Sequence, residues 1–172
     1  MGHPTLRVKA EMIKEDEFAT PELNSLIEDL IDTMKDKKGI GIAAPQINIA
    51  KQVCIIELPE ESDRYETKDL PNQRYIVINP KIKVLDGKLQ QGNWEGCLSV
   101  PGLRGYVRRP QKIQVNFQNE TGEKQKLVLD GFLAVVFLHE IDHLKGKLFV
   151  DRLSDTSQLI FEDNFQYLFS NS

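Results

Sequence analysis

Apolar residues recur with three distinct periods along the chain, and each period predicts a different element. Leu23, Leu26, Ile27, Leu30, Ile31 and Met34 follow helical spacing on one face. Thr20-Pro21 before them supplies a hydroxyl cap and a proline at the first helical position, and Gly39 stops the helix. Residues 52–58 (QVCIIEL) and 74–79 (RYIVIN) are short runs rich in β-branched residues, as buried strands are. KIKVL (81–85), KIQVNF (112–117) and KQKLVL (124–129) alternate polar and apolar, which predicts half-buried strands. Asn119-Glu120-Thr121-Gly122 predicts a hairpin turn between the last two. The charged, proline-containing stretch 59–73 reads as an exposed loop.

A third pattern is apolar almost all round. GFLAVVFLHEIDHLKG (131–146) predicts an internal helix over about 131–145, capped by Asp130 and ended by Gly146. A second amphipathic stretch, Leu159 to Phe169, predicts a C-terminal helix. One helix, then many strands, then helices defines an α+β class: a central helix among antiparallel sheets, with an N-terminal and a C-terminal helix. At 172 residues, one domain spanning 1–172 is expected.

The central helix poses a chemical problem. The chain has only three histidines, and His139 and His143 both lie on this greasy segment, with Glu140 between them. Burying these groups without partners costs several kcal/mol, about 2–7 for each polar group. A metal ion removes the conflict, because residues i and i+4 share a helical face and both imidazoles reach one ion. Glu140 then lies beside the first ligand, as in the HExxH arrangement of metallohydrolases. The alternative is two surface histidines and a solvated glutamate, against which the apolar neighbours argue. His3, alone near the N-terminus, is read as structural or solvated.

A tetrahedral catalytic site takes a third protein ligand. Cys97 in NWEGCLSVP (93–101) is the candidate, since thiolate is a strong ligand and Gly96 permits close backbone approach. Its alternative is a small buried core thiol, the reading given to Cys54. Trp94 reads as a core or wall aromatic. The third unusual stretch is GIGIAAPQ (39–46), where small residues let backbone approach a ligand and Gln46 offers an amide donor to a developing oxyanion. No GK[ST] follows it, so it is not a phosphate loop.

Charge and composition narrow the classes further. A net charge of −4 gives no sign of a dedicated nucleic-acid binder. No apolar run spans a bilayer and no signal-peptide pattern opens the chain. Two cysteines make no disulfide framework. Together these features favour a reducing, cytoplasmic setting.

In order, GIGIAAPQ (39–46), EGCLS (95–99) and HEIDHLKG (139–146) resemble the three motifs of the peptide deformylase family, and GHPTL (2–6) is similar to the family's N-terminal stretch. The resemblance spans nearly the whole chain. It implies Cys97, His139 and His143 as metal ligands, Glu140 as general acid/base, and Gln46 with the Leu98 backbone N–H as oxyanion donors. It implies a peptide bound as an added strand on Ile40, Gly41 and Gly96. A methionine pocket is implied at Phe132, Val135, Val136 and His139, with Arg104 near the substrate. The implied cofactor is one divalent metal ion, Fe(2+) in vivo, with zinc, nickel or cobalt as substitutes. The implied reaction removes formyl from N-formylmethionyl nascent peptides, near the ribosomal exit. Two rivals share parts of the pattern. A metallopeptidase takes its third ligand downstream of HExxH, whereas EGCLS lies upstream. A structural metal domain needs a fourth protein ligand, and none is evident.

Overall fold

The computed structural model describes residues 1–58 and 73–168. The expected loop over 59–73 therefore falls, apart from its last residue, outside the described residues. The helix expected from the first periodicity is α1, Pro21–Asp36. Thr20 caps it, its hydroxyl accepting from the Leu23 N–H at 3.2 Å. The buried stripe is Leu23, Leu26, Ile27, Leu30 and Met34. The helix ends through Lys38 in the left-handed conformation, after which the Gly39 N–H donates to Met34 O at 2.9 Å.

Two antiparallel sheets follow. The larger contains β1 (Gly41–Ala43), β2 (Val53–Glu57), β3 (Arg74–Val84), β6 (Lys112–Gln118) and β7 (Lys124–Asp130), side by side in that order. The smaller contains β4 (Gln90–Cys97), β5 (Val100–Pro110) and β8 (Leu159–Phe161) in the order β4-β5-β8. The second helix, α2 (Gly131–Leu144), packs against both. β2 shows why its sequence is apolar at successive positions. Cys54 and Ile56 join the core under α2, while Val53 and Ile55 join the core under α1. A strand covered on both faces has no solvent side to make polar.

The α2 helix ends where predicted. Gly146 has φ +70°, and a Cβ there would stand 2.8 Å from the Arg7 backbone, so only glycine fits. Asp130 occupies the N-cap position, but its side chain accepts no capping hydrogen bond. RYIVIN and KIKVL, read as two strands, are one strand with an irregularity in register between Ile78 and Lys81.

Three features differ from the sequence reading. β1 replaces part of the glycine-rich turn. β4 and β5 form from QQGNWEGC and VPGLRGYVRRP, whose glycines, prolines and arginines obscure any strand period. The expected C-terminal helix over Leu159–Phe169 is instead β8 followed by a 3-10 helix, Glu162–Leu168. The reason is the open edge of β5. Leu159, Ile160 and Phe161 pair with Gly105, Arg104 and Leu103, satisfying backbone groups that a helix would leave exposed on that edge.

Asn79 holds the kink of β3. It is buried at φ 52°, its Oδ1 accepts from Ile13 N at 2.9 Å, and its Nδ2 donates to Ile13 O at 2.8 Å and to Gln118 Oε1 at 2.9 Å. Asn79→Ala deletes these bonds and strains the backbone, so we expect a loss of about 3 kcal/mol in urea unfolding. Asn79→Gly, which accepts the left-handed conformation, should lose less. Equal losses for the two variants would show that the backbone conformation contributes nothing.

Candidate metal centre and cleft

Helical spacing places His139 and His143 on one face of α2, with ring centroids 5.1 Å apart. The end of β4 brings Cys97 to them, with Cys97 Sγ 3.3 Å from His143 Nε2. One donor atom from each of Cys97, His139 and His143 lies within 4.8 Å of the other two. Donors around a tetrahedral first-row ion, at about 2.0–2.3 Å from it, stand on the order of 3.5 Å apart, so this set fits such an ion with small adjustments. The chemistry of the set fits as well: thiolate and two imidazoles suit zinc, iron, cobalt or nickel.

The surroundings strengthen the fit. His139 Nδ1 lies 2.9 Å from Glu95 Oε2, which orients the ring and leaves Nε2 for the cluster. Burial disfavours a charged His139, but hydrogen bonds to Cys97 and Glu95 outweigh it and raise its pKa well above the ordinary value. The position thus attracts positive charge, which a cation supplies equally well. Burial, with His139 beside it, holds His143 well below the ordinary value, so its ring stays neutral and keeps a lone pair for a metal. Burial pushes the Glu140 carboxyl up to about 7, with His139 opposing and Glu95 adding to the rise. Among the described residues Glu140 Oε2 has no hydrogen-bond partner, and neither has His143 Nδ1. A buried carboxyl that changes protonation near neutrality is suited to move a proton.

Beneath the centre lies a charge network that the sequence reading missed. Arg109 Nε and Nη2 donate to Glu95 at 2.8 and 2.9 Å, and its Nη1 donates to Asp142 Oδ2 at 2.6 Å. Arg152 completes the network, donating to Asp142 at 2.5 and 2.9 Å. Burial pushes both carboxyls up, but hydrogen bonds from Arg109 and His139 to Glu95, and from Arg152 and Arg109 to Asp142, hold each below its ordinary value. The only signal in the sequence was position: Glu95 stands two residues before Cys97, and Asp142 stands one before His143.

The centre opens into a cleft of about 410 Å³. Its lining includes Ile40, Gly41, Gln46, Gly96, Cys97, Leu98, Arg104, Phe132, Val135, Val136, His139 and Glu140. His143, 1% exposed, lies behind that lining. The walls are sheet edges: β1 ends one sheet and β4 ends the other. They approach where Leu98 Cδ1 would stand 3.2 Å from a Cβ at Gly39. A Cβ at Gly41 would fall 2.4 Å from Glu140 Oε1, so glycine is needed for the strand to pass the carboxyl. Gln46 is held by its Oε1, which accepts from Ala43 N at 2.8 Å. Its Nε2 donates to Ser99 Oγ at 3.2 Å and lies 3.8 Å from Cys97 Sγ. Leu98 lies in the turn between Cys97 and Val100, which pair across it. Trp94 lines the cleft, as read. Cys54 is fully buried in the core, and His3 is exposed, its Nδ1 accepting from the Thr5 N–H.

A thiol, two imidazoles and a carboxyl converging in a peptide-sized cleft are the apparatus of a metallohydrolase. Comparison with known proteins specifies the family. The family model for polypeptide deformylase matches residues 1–159. The peptide deformylase of Leptospira biflexa (Patoc 1 / Ames) is 42% identical over 157 residues, covering 91% of this chain and 86% of that protein. That of Aquifex aeolicus is 44% identical over 147 residues, covering 86% and 82%. The Met-Ala-Ser-bound crystal structure of the class I type b peptide deformylase from Acinetobacter baumannii superposes with a TM-score of 0.81, at 35% identity, covering 89% of this chain and 94% of that one. The actinonin complex of the Synechococcus elongatus enzyme gives 0.77, at 37% identity, covering 91% and 78%. The chain belongs to the polypeptide deformylase family, a family of metal-dependent enzymes.

Arg109 is the group whose removal should cost most. Arg109→Met leaves the buried Glu95 carboxylate facing only His139, so we expect about 3–5 kcal/mol of destabilisation in urea. Metal retained per chain should fall with it. A loss under about 1 kcal/mol would show that the network is not held by this charge.

Proposed function

We propose that residues 1–172 form one catalytic domain that removes the formyl group from the N-terminal formylmethionine of nascent polypeptides, releasing formate. One observation carries the reading: Cys97 of β4 meets His139, Glu140 and His143 of α2 at the base of a cleft walled by two sheet edges. Membership of the deformylase family and the Met-Ala-Ser peptide of the Acinetobacter relative support it.

In this reading the peptide lies as an added strand between the sheet edges, using backbone groups of Ile40, Gly41 and Gly96. Phe132, Val135 and Val136 surround the methionine side chain, with His139 at the base of that pocket. Cys97, His139 and His143 hold one divalent ion, Fe(2+) in the cell, with zinc, nickel or cobalt able to replace it. When bound, the ion supplies Lewis acidity that acidifies water and polarises the formyl oxygen. Glu140 takes a proton from the attacking water as the new C–O bond forms. It then delivers the proton to the amide nitrogen as the C–N bond breaks, so formate and a free amine leave. The Gln46 Nε2–H and the Leu98 N–H donate to the oxygen as it gains charge, each worth roughly 3–4 kcal/mol in comparable sites. Swinging the Gln46 amide toward that oxygen exchanges its Ser99 hydroxyl partner for the substrate.

We place the protein in the cytoplasm, near the ribosomal exit. No described helix is long and apolar enough to cross a membrane, and no direct nucleic-acid recognition is proposed.

Three experiments test the assignment. Glu140→Ala should retain wild-type metal per chain while the rate collapses, because the carboxyl is no ligand in this scheme. Cys97→Ser should lose metal and activity together, and wild-type occupancy in that variant would overturn the ligand set. N-acetyl-Met-Ala-Ser should react at least about 100-fold more slowly than the N-formyl peptide, since a methyl displaces the reacting carbon from Gln46 and Leu98. Comparable rates would mean a general amidase.

A further inference from the structure

The C-terminal segment reaches the mouth of the cleft. β8 pairs with β5 through Arg104↔Ile160. Two residues later Glu162 Oε1 accepts from Arg104 at 2.6 Å (Nη2) and 3.2 Å (Nε). Phe165 packs edge-on against Trp94 with ring centroids 5.6 Å apart, and its ring lies 5.8 Å from the Arg104 guanidinium carbon. The guanidinium is thereby pressed over Gly96, where a Cβ would stand 3.1 Å from it. Arg104 and Glu162 both line the cleft, and Glu162 is 44% exposed at its side chain. The other cation on the lining, Lys37, pairs with Asp36 at 2.8 Å. Among the described residues, both cations on the lining are therefore matched by carboxylates.

We propose that Glu162 is a specificity-determining residue. By pairing with Arg104 it cancels the charge at the mouth, so the cleft accepts peptides with little regard to charge beyond the first residue. This rests on the reading of the cleft as a formyl-peptide site. That reading demands such tolerance, because nascent chains share only their first residue. A lone guanidinium on the lining would instead attract acidic residues and repel basic ones.

The test uses binding, which is separable from turnover. Trp94 is the only tryptophan of the chain, lines the cleft and touches Phe165, so its fluorescence reports occupancy. Metal-loaded protein is titrated with Met-Ala-Asp, Met-Ala-Lys, Met-Asp-Ser and Met-Lys-Ser. For the wild type, acidic and basic peptides should bind within about threefold of each other. In E162Q the acidic peptide should gain roughly tenfold over its basic counterpart at low salt, and the gap should close at about 1 M salt. R104Q, which removes the cation itself, should show no such gain for the acidic peptide. The double variant should return to the wild-type ratio. Should E162Q loosen the segment as a whole, Arg104 is still left unpaired and the preference still appears. An unchanged ratio in E162Q would overturn the proposal. Charge-dependent binding in E162Q, with no hydrolysis of formyl-Met-Ala-Ser by the wild type, would strike the proposed activity alone.

Discussion

Arg109 ties the two halves of the candidate metal centre together. Its guanidinium, 4% exposed, binds Glu95 of β4 with two nitrogens and Asp142 of α2 with the third. Glu95 stands two residues from Cys97, and Asp142 stands next to His143. One cation therefore fixes the strand that carries the thiol against the helix that carries the imidazoles. Desolvating such a network is expensive and the Coulomb gain only partly offsets it. Its return is geometric. Glu95 also orients His139, so the same carboxylate that holds the scaffold holds a candidate ligand.

Around that anchor, the cleft follows from sheet topology. Neither sheet closes on itself: β1 is left as an edge of one and β4 as an edge of the other, and α2 passes beneath both. Exposed strand edges invite pairing with a foreign strand. Here the two edges face a common space whose floor carries His139 and Glu140. The side of β5 away from β4 is covered by β8, and this pairing delivers Glu162 and Phe165 to the cleft mouth.

The chemistry was legible because it is local in sequence. HEIDH puts two imidazoles on one helical face by helix geometry alone, and an apolar helix that contains them needs a compensating ion. The α1 stripe, β2 and the β6–β7 hairpin were legible for the same reason, since each carries its own period or turn. β4 and β5 were not, because Gly92, Gly96, Pro101, Gly102 and Pro110 carry no alternation. Their pairing depends on contacts such as Trp94 with Tyr106, distant from either strand's own pattern. The C-terminal stretch was misread because an amphipathic run of Leu159, Ile160 and Phe161 suits helix or strand, and Phe161 ends 66% exposed.

By itself, the sequence determined the residue types of the centre, the buried helix that holds three of them, the α+β class and the resemblance that names the reaction. Each rests on spacing within one segment or on motifs in order. Only the tertiary structure decided that Cys97 reaches His143, that Arg109 and Arg152 neutralise Glu95 and Asp142, and that Glu162 meets Arg104. Those partners lie 46, 14, 33, 10 and 58 residues apart. No local period encodes such pairs. They form because burying each group alone costs more than the chain can recover elsewhere, and the fold is the arrangement that brings their partners within reach.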